Sequence, residues 1–209
     1  MPILGITGGI ASGKSTFRKQ LLELLDADFF DADACARELM EEDDRIRRAI
    51  VEKLDPTAYR ADGTPDRARI RELIYQDAAK KSTLEAILHP IIRQRWSQQA
   101  REASAHSRIF IVDIPLLFET HAEKLFDLIV TVACSRETQL ARLAEHRGLA
   151  HEISEKIIAS QLPLGVKIKL SHHVIWNDGS PDALLAQTKL FSQYLNDRYG
   201  RKSAAPRAA

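Results

Sequence analysis

The sequence predicts an α/β fold in which a parallel sheet is flanked by helices, and three observations lead to this prediction. Short, nearly continuous apolar runs are typical of parallel strands covered on both faces. Helical patterns separate these runs, and such alternation favours a parallel sheet. Between the second and third runs lies a long, charged, helical stretch without a strand signal, which indicates an inserted subdomain. The predicted strands span residues 3–7, 28–31, 109–112, 128–132 and 174–176.

The composition limits the classes of function. The chain has 209 residues with 44% hydrophobic and 28% charged residues, which suits one domain or a core with an inserted subdomain. The formal net charge of +1 provides no global field for nucleic acid or an anionic membrane, so we expect neither as a partner. The two cysteines, Cys35 and Cys134, lack metal-ligand spacing, and a reducing cytoplasm suits them best. No signal peptide or membrane span is expected.

The first predicted strand is followed by a strong phosphate-binding signal. Residues 8–15 read GGIASGKS and satisfy G-x-x-x-x-G-K-[ST] between a buried strand and an amphipathic helix. In such a loop, successive backbone N–H groups and the helix N-terminus attract phosphate. Lys14 is expected to reach the terminal phosphates and the Ser15 hydroxyl to bind Mg²⁺. A glycine-rich turn that only caps the helix is the weaker alternative.

Carboxylates follow two other predicted strands. Asp31 and Asp33 come after the second strand, where open α/β sheets bind their ligands, and Asp113 ends the strand over 109–112. A carboxylate after the second strand could accept the proton of an acceptor hydroxyl, or it could cap the next helix. Taken alone the two readings are balanced, and the phosphate-binding loop favours the catalytic one. Asp113 is expected to support Mg²⁺ together with Ser15.

A basic segment between residues 142 and 169 follows the fourth predicted strand. Its helical patterns are broken by glycine and proline, which suits a lid that closes over phosphates. A charge run is usually a solvated face, and we expect this for most of these side chains, Arg142 and Arg147 excepted. The basic residues are Arg142, His146, Arg147, His151, Lys156, Lys167 and Lys169.

Taken together and in order, several sequence blocks resemble the dephospho-coenzyme A kinase family. The resemblance covers residues 3–199, and apart from the loop no block suffices alone. The blocks are GITGGIASGKST, Asp31-Ala32-Asp33, Asp66-Arg67, Leu88-His89-Pro90, Pro115-Leu116-Leu117-Phe118-Glu119 and ETQLARL from Glu137.

The resemblance implies a three-part P-loop kinase. A nucleotide-binding core would comprise residues 1–33, 105–140 and 171–200, with a helical acceptor-binding insert over 34–104 and a lid over 141–170. Residues 201–209 have no apolar periodicity, and we expect a disordered tail there. The implied reaction transfers the γ-phosphoryl group of ATP, with Mg²⁺, to the ribose 3′-hydroxyl of dephospho-CoA, the last step of coenzyme A synthesis. A cytoplasmic monomer or weak homo-oligomer is expected.

The family also implies roles for individual residues. Asp33 would be the base, Lys14 and Arg142 would act on the transferring group, and Asn177 would lie near the adenine. Arg147 is expected to provide a second lid contact in place of the aligned His146. The residues expected to hold ATP phosphates are Gly8, Gly9, Ile10, Ala11, Ser12, Gly13, Lys14, Ser15 and Thr16. Ala11 stands where the family usually has glycine, and we expect this position not to require a positive φ.

Two alternatives remain at the level of sequence. Another small-molecule P-loop kinase, of the shikimate or nucleoside monophosphate type, would share the loop, but shikimate kinases lack the long helical insert and the Pro115–Glu119 block. A non-catalytic ATP-binding module is the second alternative. It differs from a kinase in that no acceptor would stimulate ADP production.

Overall fold

A computed structural model describes residues 2–105 and 108–200, with only the backbone of Ala105. The predicted tail over 201–209 lies outside these residues. The chain divides into two compact units. One comprises the described residues up to Phe30 and from Ala100 onward, and the other is Asp31–Gln99.

The described residues form five strands, nine α-helices and two short 3₁₀ helices. The strands are β1 (Ile3–Gly8), β2 (Ala27–Asp31), β3 (Ile109–Asp113), β4 (Leu128–Ala133) and β5 (His173–Trp176). The helices are α1 (Lys14–Leu24), α2 (Ala32–Glu42), α3 (Asp44–Lys53), α4 (Arg67–Gln76), α5 (Ala78–Ala105), α6 (Arg136–Arg147), α7 (His151–Ala159), α8 (Leu164–Leu170) and α9 (Pro181–Tyr199). The 3₁₀ helices are Pro56–Ala58 and Glu123–Leu125.

The first unit is built around a parallel five-stranded sheet with the order β2-β3-β1-β4-β5. β1 lies in the middle, with Ile6 opposite Asp113 on β3 and Val130 on β4. Because parallel strands here run in one direction, the ends of β1, β3 and β4 meet at the same edge of the sheet. The prediction of an α/β fold with a parallel sheet is confirmed.

Apolar side chains of the strands and of two helices form the core of this unit. Leu4 and Ile6 are completely buried on β1. Phe17 and Leu21 of α1 are also completely buried, four residues apart and hence on one face of the helix. The Phe17 ring lies 6.0 Å from that of Phe191 on α9. Burying each such side chain contributes about 1.5–3 kcal/mol to the free energy of folding. This packing fixes the position of α1 and of the loop that precedes it.

The second unit is helical, and short polar side chains define where its helices begin. Asp43 accepts hydrogen bonds from Arg45 N at 2.9 Å and Ile46 N at 3.4 Å at the start of α3. Asp66 accepts from Arg69 N at 3.0 Å at the start of α4. Within the residues described here, the extended pairing in this unit is an isolated antiparallel bridge between Tyr59 and Pro65. The predicted strand-free character of this stretch agrees with the helices found there.

Candidate active site

The glycine-rich loop connects the end of β1 to the start of α1 at the carboxyl edge of the sheet. Gly13 precedes α1 with a φ of +86°, and a Cβ there would collide with the Asn177 side chain. A Cβ on Gly8 would lie 2.5 Å from the Val132 carbonyl oxygen. Both glycines therefore permit a close approach of backbone segments that a side chain would prevent. The N-terminus of α1 points its positive dipole end into this loop.

Ala11 adopts a left-handed backbone conformation, with a φ of +57°. Our expectation that this position does not require a positive φ is wrong. The left-handed region costs a residue with a Cβ about 1–2 kcal/mol, and this cost explains why the family usually has glycine at this position. The Ala11 carbonyl accepts a hydrogen bond from an Arg142 guanidinium nitrogen at 3.2 Å, and this contact helps to hold the conformation.

Three other side chains hold the backbone of the loop. Asn177 Nδ2 donates to the Ser12 carbonyl at 2.8 Å, and Arg142 also donates to the Asn177 carbonyl at 2.9 Å. Gln139 Nε2 donates to the Ile10 carbonyl at 2.7 Å, and Gln161 Oε1 accepts from the Ile10 N–H at 3.0 Å. The structure thus brings Arg142 and Asn177 to the loop. Gln139 and Gln161 were not predicted, because a glutamine carries no distinctive sequence signal, either within α6 or after the end of α7.

Asp113 connects the end of β3 to α1 through two cations. Its Oδ1 forms an ion pair with Lys14 Nζ, and its Oδ2 accepts from an Arg18 guanidinium nitrogen at 2.9 Å. The Asp113 side chain is only 4% exposed. The Arg18 guanidinium also lies over the Phe29 ring, 4.9 Å from its centroid. Arg18 was not among the predicted site residues, although its position four residues after Lys14 places both on one helix face.

Lys167 is completely buried, which corrects the expectation of a solvated face for this residue. Its ammonium lies 2.7 Å from Glu119 Oε1 and donates to the Pro115 carbonyl at 3.2 Å and the Gly8 carbonyl at 3.4 Å. Glu119 Oε1 also accepts from the Leu162 N–H at 3.0 Å. This pair therefore joins α8 and the segment before it to the start of the phosphate-binding loop.

Asp31 and Asp33 belong to the helical unit. The Asp31 side chain accepts from the Ala34 N–H at 2.8 Å and so caps α2. Asp33 lies in the first turn of that helix. Asp31 therefore makes the helix-capping contact that was one of the two predicted roles. The catalytic role of Asp33 stays a prediction.

The predicted lid segment contains the end of α6, all of α7 and all of α8. His146 and Arg147 lie in the last turn of α6, and both are exposed. Gly148 ends α6 with a φ of +61°, a conformation that glycine adopts without strain. The role of Arg147 as the second lid contact stays a prediction.

A reactive thiol, a cluster of metal ligands and a membrane-spanning helix are all absent from the described residues. Both cysteines are free and buried, and burial raises the pKa of Cys134 to about 11, so its thiol stays protonated near neutral pH. The described part of the chain contains no group of three His, Cys, Asp or Glu side chains placed to hold a metal ion. None of its helices combines the length and apolarity needed to cross a membrane.

Comparison with known proteins agrees with this site. The dephospho-CoA kinase family matches residues 2–182. A dephospho-CoA kinase of Thermosynechococcus vestitus is 39% identical over 184 residues, which cover 88% of this chain and 90% of that protein. One of Bordetella avium is 36% identical over 212 residues, with 97% and 98% covered.

Solved structures show the same fold. A Thermus thermophilus protein matches with a TM-score of 0.76 and 29% identity over 92% of this chain and 97% of that one. Shikimate kinase from Acinetobacter baumannii matches with a TM-score of 0.50 and 16% identity over 98% and 96% of the two chains, which shows a shared fold alone. With a family match over most of its length and relatives above 30% identity, this chain belongs to the dephospho-CoA kinase family.

Proposed function

We propose that this protein transfers the γ-phosphoryl group of ATP to the ribose 3′-hydroxyl of dephospho-CoA, the last step of coenzyme A synthesis. Membership of the kinase family supports the reaction class and the acceptor. The observation that carries the proposal is the phosphate-binding loop, in which Lys14 begins α1 directly after the left-handed Gly13. Phosphoryl transfer depends mainly on positioning and on charge stabilisation, and this loop is built for both.

The loop would bind the phosphates of ATP through its backbone N–H groups and the positive end of α1. Lys14 would leave Asp113 and place its ammonium on the transferring group. Arg142 donates to the Ala11 carbonyl in the loop and would neutralise charge that develops on the equatorial oxygens. Asn177, which braces Ser12, would line the adenine side of the site.

The residues at the loop fit Mg²⁺. Ser15 is exposed in the first turn of α1, and Asp113 supplies a carboxylate at the end of β3, and oxygen atoms are the ligands that Mg²⁺ prefers. Ser15 would hold the ion directly and Asp113 would support it through water. When bound, Mg²⁺ neutralises phosphate charge and orients the phosphates.

Asp33 would accept the proton of the acceptor hydroxyl, and the helical unit Asp31–Gln99 would hold dephospho-CoA. The segment 141–170 would act as a lid, with Arg147 as its second cationic contact. The buried free cysteines suit a reducing compartment, and we propose that the enzyme acts in the cytoplasm as a monomer or weak homo-oligomer.

An acceptor panel tests this function. ADP production from ATP and Mg²⁺ is measured with dephospho-CoA, shikimate and nucleoside monophosphates in parallel, with product identity checked by mass spectrometry. We expect strong stimulation by dephospho-CoA, with the product carrying one added phosphate. Lys14→Ala serves as the folded control with transfer nearly abolished. Stimulation by shikimate or a nucleoside monophosphate in place of dephospho-CoA would refute the proposal.

A further inference from the structure

Two cations share the carboxylate of Asp113. Lys14 pairs with Oδ1, and Arg18 donates to Oδ2 at 2.9 Å. The Arg18 side chain is 26% exposed and that of Lys14 is 16% exposed. Under the proposed function, on which this inference rests, Lys14 moves to the terminal phosphates of ATP, so the ion pair between Lys14 and Asp113 must break.

Breaking that pair has an energetic cost because of where Asp113 lies. Its side chain is 4% exposed, so water cannot replace the lost ammonium. A buried carboxylate left without a partner costs several kcal/mol. Without a second cation, much of the free energy gained between Lys14 and phosphate would be consumed in leaving Asp113 uncompensated.

Arg18 is placed to remain on Asp113 after Lys14 leaves. It lies on α1, one helical turn beyond Lys14, and so approaches the same carboxylate from the same face. Its guanidinium lies 4.9 Å above the Phe29 ring centroid, a position that favours a cation. Arginine is charged at any accessible pH, and its planar group fits a carboxylate oxygen well.

We propose that Arg18 is a positioning residue that keeps Asp113 ion-paired while Lys14 transfers to the nucleotide. Arg18 thereby lowers the cost of releasing Lys14 and raises the affinity for ATP, and it acts through Asp113 without touching the nucleotide.

The test is a double-mutant cycle on ATP affinity, measured by calorimetric titration with EDTA present so that metal binding to Asp113 plays no part. Arg18→Met should weaken ATP binding by about tenfold or more, which corresponds to about 1.4 kcal/mol. Arg18→Lys should restore part of the loss. In the Asp113→Asn background, Arg18→Met should have little effect, because a neutral amide needs no counter-cation.

A matched control shows that the effect is local. Arg108 lies in the same unit and also pairs with two carboxylates, those of Asp26 and Asp28. Arg108→Met should leave ATP affinity within about twofold of that of the unmodified protein, because Arg108 pairs with carboxylates other than Asp113. Melting temperatures of all variants are recorded, and Arg18→Gln replaces Arg18→Met if the latter does not fold.

Several outcomes would overturn the inference. Unchanged ATP affinity in Arg18→Met contradicts it, as does an equal loss in the Asp113→Asn background, which would mean that Arg18 contacts the nucleotide itself. A lower melting temperature with unchanged affinity would give Arg18 a purely structural role. If the unmodified protein binds no ATP, the proposed function fails. If it binds ATP and phosphorylates dephospho-CoA while Arg18→Met behaves identically, only the inference about Arg18 fails.

Discussion

Asp31 and Asp33 lie two positions apart, and their backbone surroundings assign them different tasks. The Asp31 side chain accepts the Ala34 N–H at 2.8 Å, a contact that defines the start of α2. Asp33 lies two residues further, in the first turn of α2, where the positive end of the helix dipole is located. A capping role and a proton-accepting role respond differently to the same substitution, because an amide can cap a helix but cannot accept a proton.

Substituting Asn for each of these residues in turn separates the roles. Asp33→Asn should lower kcat by about 10²-fold or more, with a much smaller change in KM for either substrate. Asp31→Asn keeps the cap, since Asn caps as well as Asp, and should leave the melting temperature nearly unchanged. Steady-state kinetics with saturating ATP and Mg²⁺ decide between them. A larger kcat defect in Asp31→Asn would show that the base was assigned to the wrong carboxylate.

Ala11 provides a second prediction at the level of the residue. Its φ of +57° carries a steric cost that glycine does not have. Ala11→Gly should therefore stabilise the protein by on the order of 1 kcal/mol, less the extra freedom that glycine gives to the unfolded chain. Urea unfolding measures this difference. A clear loss of stability in Ala11→Gly would mean that the unfolded-state term outweighs the relief of strain.

At the scale of the element, α8 is fixed to the loop by a single buried ammonium. Lys167 is completely buried, whereas Lys169 on the same short helix is exposed. Glu119 would lose its cation if Lys167 were replaced, and its second oxygen, Oε2, is already buried without a hydrogen-bond partner among the described residues. Replacing Lys167 would therefore leave the Glu119 carboxylate without its cation.

Lys167→Met should lower the free energy of unfolding by about 3–5 kcal/mol, because it leaves a buried carboxylate uncompensated. Lys169→Met is the matched control and should change it by less than about 0.5 kcal/mol. Adding Glu119→Gln to Lys167→Met should recover part of the loss, since the unpaired charge is then gone. Urea unfolding of all three variants checks this. Equal effects of the two lysine substitutions would contradict the buried-pair argument.

The end of α6 carries the competing lid residues. Arg142 already donates to the Ala11 carbonyl in the loop and to the Asn177 carbonyl after β5, while His146 and Arg147 are exposed. We expect kcat to fall most in Arg142→Ala, by roughly 10³-fold, and less in Arg147→Ala, because a permanently charged group stabilises the transition state better than an imidazole. Kinetics with saturating substrates provide the comparison. A large defect in His146→Ala beside a silent Arg147→Ala would reverse the order.

At the scale of the whole molecule, the packing of β5 on α9 couples stability to pH. The ring of His173 lies 5.2 Å from that of Phe191 and 4.5 Å from that of Tyr194. Burial, together with the nearby charges of His172 and Arg198, lowers the pKa of His173 below its usual value of 6.5. The unfolded chain therefore binds a proton on His173 more readily than the folded protein does. The contribution of neutral His173 to stability is complete above about pH 6.5 and is lost as the pH falls toward the folded-state pKa.

His173→Phe keeps an aromatic ring and removes the titration. Its free energy of unfolding should fall less steeply than that of the unmodified protein as the pH is lowered from about 6.5. Urea unfolding at a series of pH values measures both slopes. Parallel slopes would show that His173 does not contribute to the acid sensitivity.

Much of the architecture could be read from the sequence, because strands buried on both faces must be apolar throughout. The predicted strand over 109–112 is β3 with Asp113 added, and that over 128–132 is β4 with Ala133 added. The glycine-rich loop could be recognised because backbone approach to phosphate requires glycine at fixed spacing. The exact start of α2, at Ala32 after the Asp31 cap, depends on a side-chain contact that the apolar pattern does not show.

The sequence alone determined the parallel α/β fold, the phosphate-binding loop and the candidates Lys14, Asp113 and Arg142, because each depends on local pattern or on spacing along the chain. The kinase family, and with it the choice of Asp33 as the candidate base, came from the resemblance of several sequence blocks taken in order. Only the tertiary structure decided that Arg18 shares Asp113 with Lys14, that Lys167 is buried against Glu119, and that Ala11 has a positive φ. Residues 18 and 113, or 119 and 167, meet only when strands and helices far apart in sequence pack together. A charged residue has the same letter whether it faces water or a buried partner, so its environment is set by packing and not by composition.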